Sequence, residues 1–428
     1  MSNSTNACTD SSVKLHIEFL DRIFAGYADI DFSVRLWDGT VWGETARPQF
    51  TLVLNHPGAL RKMFAAMSEL SFGEAFVNDD FDVEGNLFSV FRVADFLLAR
   101  EYSLTEKVRL GKMLASIPAT VVSRSGRPAA GLRGALHSQE RDRHAVTYHY
   151  DVSNDFYSLW LDRSMVYSCA YFKSPETDLD TAQSDKLDYI CRKLRLRPGD
   201  RLLDLGCGWG GLLLHAARNY GVDALGITLS VPQAELARER VRAAGLADHC
   251  KIEVCDYRDL DNRQQFDKLV SVGMFEHVGE EQLPVYFERA WRLLCPGGVF
   301  LNHGIAASSN FVRKGPSFID KYVFPDGELV PLHTAVRTAQ MAGFEVRDVE
   351  NLREHYALTL RAWVRRLEDN VEKARNVASD SMYRIWRLYM SGSAHGLDTG
   401  RLELHQVLLS KPDCGLSGLP LTRTDWYM

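Results

Sequence analysis

The sequence predicts an α/β protein whose larger domain holds a parallel sheet with helices on both faces. One observation is the apolar run at 201–205, which passes through a glycine-rich segment at 206–211 into an amphipathic run at 212–220. This order is typical of a strand, a tight turn and a helix. Strands that alternate with helices indicate a parallel, Rossmann-like sheet. Four more strand-like runs follow between helical patterns, at 223–230, 251–257, 266–272 and 294–301.

The glycine-rich turn is the strongest single indication of a bound ligand. Gly206, Gly208 and Gly210 have the spacing G-x-G-x-G directly after the first strand. Glycine permits positive φ and lets a cofactor approach the backbone, although many purely structural turns have similar glycines. The second strand ends without the acidic residue that a dinucleotide site places on the ribose, which argues against a nicotinamide enzyme.

Length and composition define the broad class of protein. The 428 residues suffice for one large or two ordinary domains, and the net charge of −6 disfavours bulk nucleic-acid binding. The eight cysteines form no Cys-x-x-Cys pair, so we expect no metal site. Thiols inside apolar runs indicate reduced cysteines in a cytoplasmic protein.

Composition and pattern divide the chain into four segments. Residues 1–12 are polar and are predicted to form a disordered tail, while 13–100 have the mixed pattern of a small α+β, lipid-associated domain. Residues 101–145 are predicted to form a linker, either a solvated loop or a basic face for anionic lipid head groups. The larger domain spans 146–428. The eight basic residues of the linker are Lys107, Arg109, Lys112, Arg124, Arg127, Arg133, Arg141 and Arg143, against four acidic residues.

Eight short motifs together resemble the cyclopropane fatty acid synthases, which include the mycolic acid cyclopropane and methyl-transfer enzymes. The resemblance covers roughly residues 145–410 and is weaker before them. It implies a class I S-adenosylmethionine-dependent methyltransferase fold for the larger domain. The motifs are YHYD at 148–151, SNDFY at 153–157, YSCAYF at 167–172, LDLGCGWGG at 203–211, GITLS at 226–230, DYRD at 256–259, GMFEHVG at 273–279 and FIDKYVFP at 318–325.

The resemblance implies a site for S-adenosylmethionine. The glycine turn supports this from the residues themselves, and Asp204 and Gly210 belong to the same strand and turn. We expect the adenine edge to meet Asp256 and the adenine ring to stack on Tyr257. The residues that the resemblance assigns to the cofactor are Tyr167, Ser168, Gly206, Gly208, Thr228, Leu229, Gln233 and Tyr257.

The resemblance also implies a bicarbonate ion held by Cys169, Glu276, His303, Tyr356 and the backbone of Ile305. Attack of an alkene on a sulfonium methyl group gives a carbocation, and a bound anion can accept the proton that must leave. Glu276 follows the fourth strand and His303 ends the fifth, at the carboxyl edge where ligands bind in such sheets. Each residue alone is also compatible with an ordinary buried polar side chain.

Drawing about nine CH₂ groups of an acyl chain out of a bilayer costs about 7 kcal/mol, at about 0.8 kcal/mol for each group. An enzyme that acts on such a chain therefore needs an apolar tunnel to offset this cost. The resemblance implies unsaturated phospholipid acyl chains as the substrate, and the basic linker predicts contact with an anionic membrane surface at the inner face of the cell membrane. The net charge predicts no nucleic-acid partner. A homodimer is one option for the oligomeric state. The candidate tunnel residues are Phe172, Met274, Phe275, Phe318, Tyr322 and Phe324.

Four functions remain in view. The first is a cyclopropane-fatty-acyl-phospholipid synthase, and the second uses the same cation to give methyl- or methylene-branched chains. The third is a methyltransferase for a soluble nucleophile, and the fourth is a non-catalytic lipid-binding protein, against which Glu276 and His303 argue. Gly304 and Asp326 depart from the family pattern and leave the product open. Ser393 stands where the family has a cysteine, which fits an ionic mechanism without a covalent thiol.

Overall fold

The computed structural model divides into two compact units. The first comprises Met1–Ala129, Gly315–Val323 and Ser379–Gly392, and the second comprises Ala130–Lys314, Phe324–Ala378 and Ser393–Met428. The second unit thus begins before the predicted boundary at 146, and two later segments return to the first. The residues described are 3–28, 30–43, 45–119, 127–128, 130–150, 152–309 and 317–427, with side chains from residue 11 onward.

The first unit contains a four-stranded sheet in the order β2-β1-β3-β4, in which β1 and β3 are parallel and the other pairs antiparallel. The strands are β1 (Phe32–Arg35), β2 (Val41–Trp42), β3 (Phe50–Leu54) and β4 (Phe81–Gly85). The helices before residue 120 are α1 (Asn3–Ile23), α2 (Ala59–Phe64), α3 (Glu69–Val77), α4 (Leu87–Ala99) and α5 (Leu104–Ser116).

Two predicted segments differ from the structure. The predicted disordered tail lies mostly within α1, because helix formation is cooperative and buried Phe19 and Ile23 anchor this helix. The predicted linker contains α5, which begins with a capping box: Ser103 accepts from the N–H of Glu106, and Glu106 accepts from the N–H of Ser103. This signal was present in the sequence and was missed.

The second unit contains a seven-stranded sheet in the order β10-β11-β9-β8-β5-β6-β7. Only β11 runs antiparallel to its neighbours. The first five strands were predicted, whereas β10 and β11 were not. The strands are β5 (Arg201–Leu205), β6 (Asp223–Thr228), β7 (Cys250–Val254), β8 (Phe266–Val272), β9 (Leu294–Ala307), β10 (Glu345–Asn351) and β11 (Leu402–Ser410).

Helices cover both faces of this sheet, which confirms the predicted Rossmann-like fold. Leu202 packs in one buried cluster, and its neighbour Leu203 packs in a different one. Within the ranges given above, no helix combines the length and apolar character that a membrane span requires. The remaining helices are α6 (Gln139–Tyr150), α7 (Asn154–Ser158), α8 (Leu179–Leu194), α9 (Gly211–Tyr220), α10 (Val231–Ala243), α11 (Leu283–Leu293), α12 (Phe318–Tyr322), α13 (Leu332–Met341), α14 (Arg353–Asp369), α15 (Val371–Val377) and α16 (Asp380–Asp398).

Candidate active site

A cavity, here called the strand-end cavity, lies at the carboxyl ends of β5, β6, β7 and β8. This is the edge where ligands bind in open parallel sheets. Gly210 is absent from its lining; it caps α9, and an added Cβ would lie 3.4 Å from the Cβ of Ala237. Ten of the predicted cofactor residues line the cavity: Tyr167, Ser168, Asp204, Gly206, Gly208, Thr228, Leu229, Gln233, Asp256 and Tyr257.

The turn after β5 requires glycine for conformational reasons. Gly206 has a φ of +93° and Gly208 a φ of +53°, both in the region that side chains disfavour. The N–H groups of Gly206 and Cys207 both donate to the carbonyl of Ile227, at 3.0 and 2.9 Å. An added Cβ on Gly208 would meet nothing within 4 Å. The backbone at Gly208 therefore borders open space.

The ends of β6 and α10 fix two lining residues. Thr228 donates its hydroxyl hydrogen to Oε1 of Gln233 at 2.9 Å, and the N–H of Ser230 donates to Thr228 Oγ1 at 3.2 Å. The side chain of Ser230 in turn accepts from the N–H of Gln233 and caps α10. Thr228 and Gln233 are thus held in place by hydrogen bonds that the local sequence supplies.

The end of β7 is organised by an arginine that sequence reasoning missed. Arg258 donates to both carboxylate oxygens of Asp256, at 2.8 and 2.7 Å, and to Asp142 of α6 at 2.8 Å. Its guanidinium lies 5.3 Å from the ring centre of Tyr257. Burial raises the pKa of Tyr257 to about 12. The carboxylate of Asp256 is therefore engaged by Arg258, and the Asp-x-Arg spacing was the available signal.

Helix α8 supplies two further residues that were missed, Gln183 and Lys186. Gln183 donates through Nε2 to the carbonyl oxygens of Val166 and Ser168, at 3.2 and 2.8 Å. Lys186 lines the strand-end cavity and donates through Nζ to Ser168 Oγ at 2.9 Å. Burial lowers the pKa of Lys186 to about 8 and raises that of Asp204 to about 7. Polar residues on the buried face of an amphipathic helix were the available signal.

Glu276 contacts the backbone of Ile305, and His303 lies two positions before Ile305 on β9; we call these three predicted catalytic residues the Glu276 cluster. The N–H of Ile305 donates to Glu276 Oε1 at 2.7 Å. Burial raises the pKa of Glu276 to about 7, and Glu276 Oε2 has no hydrogen-bond partner among the described residues. The N–H of Ile305, predicted to hold an anion, is thus taken by Glu276.

His303 lies inside β9 rather than at its end, because β11 pairs with β9 as far as Ala307. Its ring Nδ1 is 3.1 Å from Nε2 of Gln406, so Nδ1 accepts and Nε2 carries the proton. Burial lowers the pKa of His303 well below its usual value. The Nε2–H group is buried and has no partner in the described part of the chain. Neutral His303 can therefore donate a hydrogen bond to a bound ligand.

Cys169 and Tyr356 form a second group. The thiol of Cys169 lies 3.9 Å from the carbonyl of Leu352, which also accepts from the N–H of Tyr356 at 3.1 Å. The N–H of Leu352 donates to the carbonyl of Leu404, the partner of Ile305 in the β9–β11 register. Burial raises the pKa of Cys169, so this thiol is neutral. None of the five predicted catalytic residues is among those that line the strand-end cavity.

Comparison with known proteins identifies the family. The family described as mycolic acid cyclopropane synthetase matches residues 137–407. The chain belongs to this family. A second family, described only as a domain of unknown function, matches residues 19–97 in the first unit. The chain is therefore an S-adenosylmethionine-dependent methyltransferase, as the motifs predicted.

Relatives of this synthetase family cover the chain to different extents. A probable fatty acid methyltransferase of Pseudomonas putida is 43% identical over 92% of this chain and 95% of its own. The cyclopropane-fatty-acyl-phospholipid synthase of Escherichia coli K12 is 38% identical over 64% and 70%. The solved structure of the cyclopropane synthase MmaA2 of Mycobacterium tuberculosis has a TM-score of 0.61 at 30% identity, covering 64% and 99%. Cyclopropane synthase CmaA1 with S-adenosylhomocysteine (SAH) and CTAB gives 0.59 at 33%, covering 62% and 97%.

The strand-end cavity fits S-adenosylmethionine, which supplies an electrophilic methyl group when bound. The open space beside Gly208 allows close approach to the turn. Asp204 Oδ1 is buried without a hydrogen-bond partner among the described residues, so a ligand with an N–H donor can satisfy it. The ten lining residues named above are those that would hold this cofactor.

Both departures from the pattern of the synthetase family have a structural basis. An added Cβ on Gly304 would lie 2.9 to 3.2 Å from atoms of Phe275, so this ring occupies the space of a larger side chain. Asp326 has a φ of +61°, which Asp tolerates better than most residues. Its carboxylate accepts from Arg141 at 2.5 and 2.9 Å, and this ion pair favours the unusual conformation.

The predicted tunnel residues do not act as one set. Phe318 is buried in the first unit, where a Cβ on Gly73 would lie 2.4 Å from its ring. Tyr322 donates to Glu74 at 2.9 Å in the same unit. Both residues thus contact α3 of the first unit, and neither is among the residues that line the strand-end cavity. Met274, by contrast, lines the strand-end cavity.

Proposed function

We propose that this protein transfers a methylene group from S-adenosylmethionine to the cis double bond of unsaturated phospholipid acyl chains, giving a cyclopropane ring. The observation that carries the proposal is the Glu276 cluster, a buried polar group formed by the segment after β8 and by residues inside β9 of the same sheet that forms the cofactor site. The similarity to the Escherichia coli cyclopropane-fatty-acyl-phospholipid synthase supports the substrate class.

Ring closure requires removal of a proton from the transferred carbon while the cation lies on the neighbouring carbon. The C–H bond of the transferred carbon breaks, its electron pair forms the third bond of the ring, and the proton passes to a base. A bicarbonate ion held by the cluster would supply that base. Neutral His303 presents Nε2–H as a donor, and Glu276 with a pKa of about 7 can be protonated and donate rather than repel an anion.

The first test of this proposal is the product. Lipids from a host that expresses the chain are analysed by NMR, because cyclopropane and methylene-branched products have the same mass. Upfield cyclopropyl protons are expected, without new vinylic or methyl doublet signals. A dominant methyl doublet or exocyclic methylene signal would instead establish the branching reaction.

The branching reaction is the second candidate, and one observation favours it. Two relatives that match more than nine-tenths of this chain are named probable fatty acid methyltransferases. The contact between Gly304 and Phe275 also lies one residue from His303 and from Glu276, where it can change the space around the cation. A hydride shift before proton loss would then give a branched chain.

We also propose that α5 contacts an anionic membrane surface. Its apolar Leu104 and Val108 are 79% and 52% exposed, one helical turn apart. Lys107, Arg109 and Lys112 on the same helix are exposed as well. Exposed apolar side chains among basic ones are the pattern of a helix that lies in a lipid interface.

Among the other basic residues of the predicted face, Arg133 and Arg143 are exposed, whereas Arg127 and Arg141 contact other parts of the protein. Arg127 donates to the carbonyl of Tyr322 at 3.4 Å, and Arg141 pairs with Asp326. Arg124 lies outside the described residues. The proposed membrane contact therefore rests on α5 rather than on the whole segment from 101 to 145.

A further inference from the structure

Two ends of the strand-end cavity differ in how their charges are paired. Arg258 engages both Asp256 and Asp142, so these three lining charges are paired with each other. Asp204 and Lys186 also line the cavity, and no ion pair within 4 Å joins them. One anionic and one cationic side chain are thus available at this second end.

Lys186 is almost fully buried, and its partner Ser168 is itself a lining residue. A hydroxyl group has only one hydrogen to donate. Because Ser168 Oγ accepts from the ammonium of Lys186, its own hydrogen is directed toward another acceptor. The carbonyl of Ser168 is held by Gln183, so the residue cannot readily turn away from the cavity.

We propose that Lys186 is a positioning residue that, through the hydroxyl of Ser168, provides the counter-charge for the carboxylate of S-adenosylmethionine. The proposal deepens the cofactor site described above and rests on it. The α-amino-acid end of this cofactor is a zwitterion, and its ammonium group matches the unpartnered Oδ1 of Asp204. A hydrogen bond that is assisted by charge is about twice as strong as a neutral one.

A second buried lysine of α8 shows what a purely structural role looks like. Lys193 is also fully buried, and it forms an ion pair with Glu350. Its ammonium lies 4.6 Å from the ring centre of Tyr189 and 5.2 Å from that of Trp426. It lies outside the lining of the strand-end cavity. Lys193 is therefore a matched control on the same helix.

The experiment compares two ligands that share the adenosine group. SAH carries the carboxylate, whereas 5′-methylthioadenosine lacks the whole amino-acid end. Calorimetry is performed with the wild type, K186M and K193M. K186M should weaken SAH binding at least about 10-fold, which is the effect of losing one charge-assisted hydrogen bond. Its binding of 5′-methylthioadenosine should change less than about 2-fold. K193M should lower the thermal midpoint without changing the ratio of the two affinities.

A titration keeps the proposal testable if K186M does not fold. The groups that act on the charge of Lys186 are Asp162, Cys169, Cys191 and Asp204. Since the pKa of Lys186 is about 8, SAH affinity should fall above pH 8 relative to 5′-methylthioadenosine. The amino group of SAH titrates in the same way with every variant. Because arginine stays charged, the difference between the wild-type and K186R profiles reports the titration of Lys186 alone.

The outcomes separate the two levels of the proposal. Equal weakening of both ligands in K186M, or unchanged SAH affinity, would overturn the role of Lys186. A wild type and K186R that share one pH profile would do the same. Failure of the wild-type protein to bind SAH at all would instead contradict the cofactor site itself.

Discussion

Glu276 combines three properties that rarely occur in one carboxyl group. It is buried, one oxygen accepts a backbone N–H, and the other oxygen has no partner among the described residues. An unsatisfied buried polar atom costs about 1–3 kcal/mol, so such atoms commonly mark a functional site. Nε2 of His303 is likewise buried without a partner among the described residues. His303 lies two positions before Ile305, whose N–H Glu276 accepts.

Replacing either residue should therefore affect chemistry more than cofactor binding. E276Q and H303A should each lower turnover at least about 100-fold, the scale of losing a positioned acid–base group. Their SAH affinity, measured by calorimetry, should remain within about 3-fold of the wild type. S393A is the control and should keep most activity, since no nucleophile is assigned there. Near-normal turnover in both site variants would remove the cluster from the mechanism.

The pKa of Glu276 also predicts how stability depends on pH. Its folded pKa of about 7 lies above its ordinary value of 4.5, so the protonated form is favoured in the folded state. Its contribution to stability is present below pH 4.5 and is lost as the pH rises to about 7. E276Q stays neutral, so its thermal midpoint should exceed that of the wild type at pH 8 but not at pH 5. Parallel melting profiles of the two proteins across this range would contradict the pKa shift.

Gly208 tests the cofactor turn directly. G208V places a branched side chain in the open space beside the turn and should abolish SAH binding measured by calorimetry. Gly245 is a matched control, with a φ of +69° and no atom within 4 Å of an added Cβ. G245V should cost similar backbone strain while SAH affinity is retained. Unchanged affinity in folded G208V would place the cofactor elsewhere.

At the scale of elements, the strands and turns that are determined by residues adjacent in the chain could be predicted from the sequence. The strands β5, β6, β8 and β9 are largely apolar runs, β7 alternates apolar and charged residues, and the glycine turn is a local pattern. The edge strand β10 was missed because charged Glu345, Arg347 and Glu350 interrupt its pattern, and only pairing with β11 makes it a strand. Lys186 was missed because its role depends on the contact between α8 and Ser168, which are not adjacent in the sequence.

Helix α5 carries a prediction of its own. The triple variant K107Q/R109Q/K112Q should bind anionic vesicles about 100-fold more weakly, because each of the three basic residues contributes about 1 kcal/mol near such a surface. Added salt should weaken wild-type binding in the same assay, since exposed charges are screened over about 10 Å at 0.1 M. Sedimentation with vesicles measures both effects.

The control for α5 changes net charge equally but elsewhere. Arg242, Lys251 and Arg263 are exposed in the second unit, and their replacement by Gln should leave vesicle binding nearly unchanged. Equal loss of binding in both triple variants would mean that total charge, rather than α5, determines membrane contact. Vesicle binding that does not change with salt or with lipid charge would contradict the proposed membrane contact of α5.

At the scale of the whole molecule, the chain returns twice to its first unit. Residues Ser379–Gly392 belong to this unit, and they bring the buried Arg384 onto the acidic side chains of Asp79 and Asp82. Arg384 also donates to the carbonyl of Phe76. Sequence reasoning placed residues 379–392 in the continuous later domain 146–428, because nothing local marks the point in α16 where the chain passes from one unit to the other.

The role of Arg384 can be measured. R384M removes the cation that pairs with Asp79 and Asp82. Because the two acids are partly exposed, the loss should be about 1–3 kcal/mol of unfolding free energy. Denaturant unfolding gives this value. R387M is the comparison, since Arg387 lies 3.8 Å from Asp82 and should matter less. A loss for R384M no larger than for R387M would contradict the argument.

The returning segments limit how far this protein can be treated as modular. Solved relatives such as MmaA2 match 64% of this chain while matching nearly all of their own length. A graft of residues 1–129 alone would leave out this chain's own α12 and the first turns of its α16, which complete the unit. A chimera that carries the whole first unit would therefore combine three separate segments of the gene, joined at five junctions rather than one.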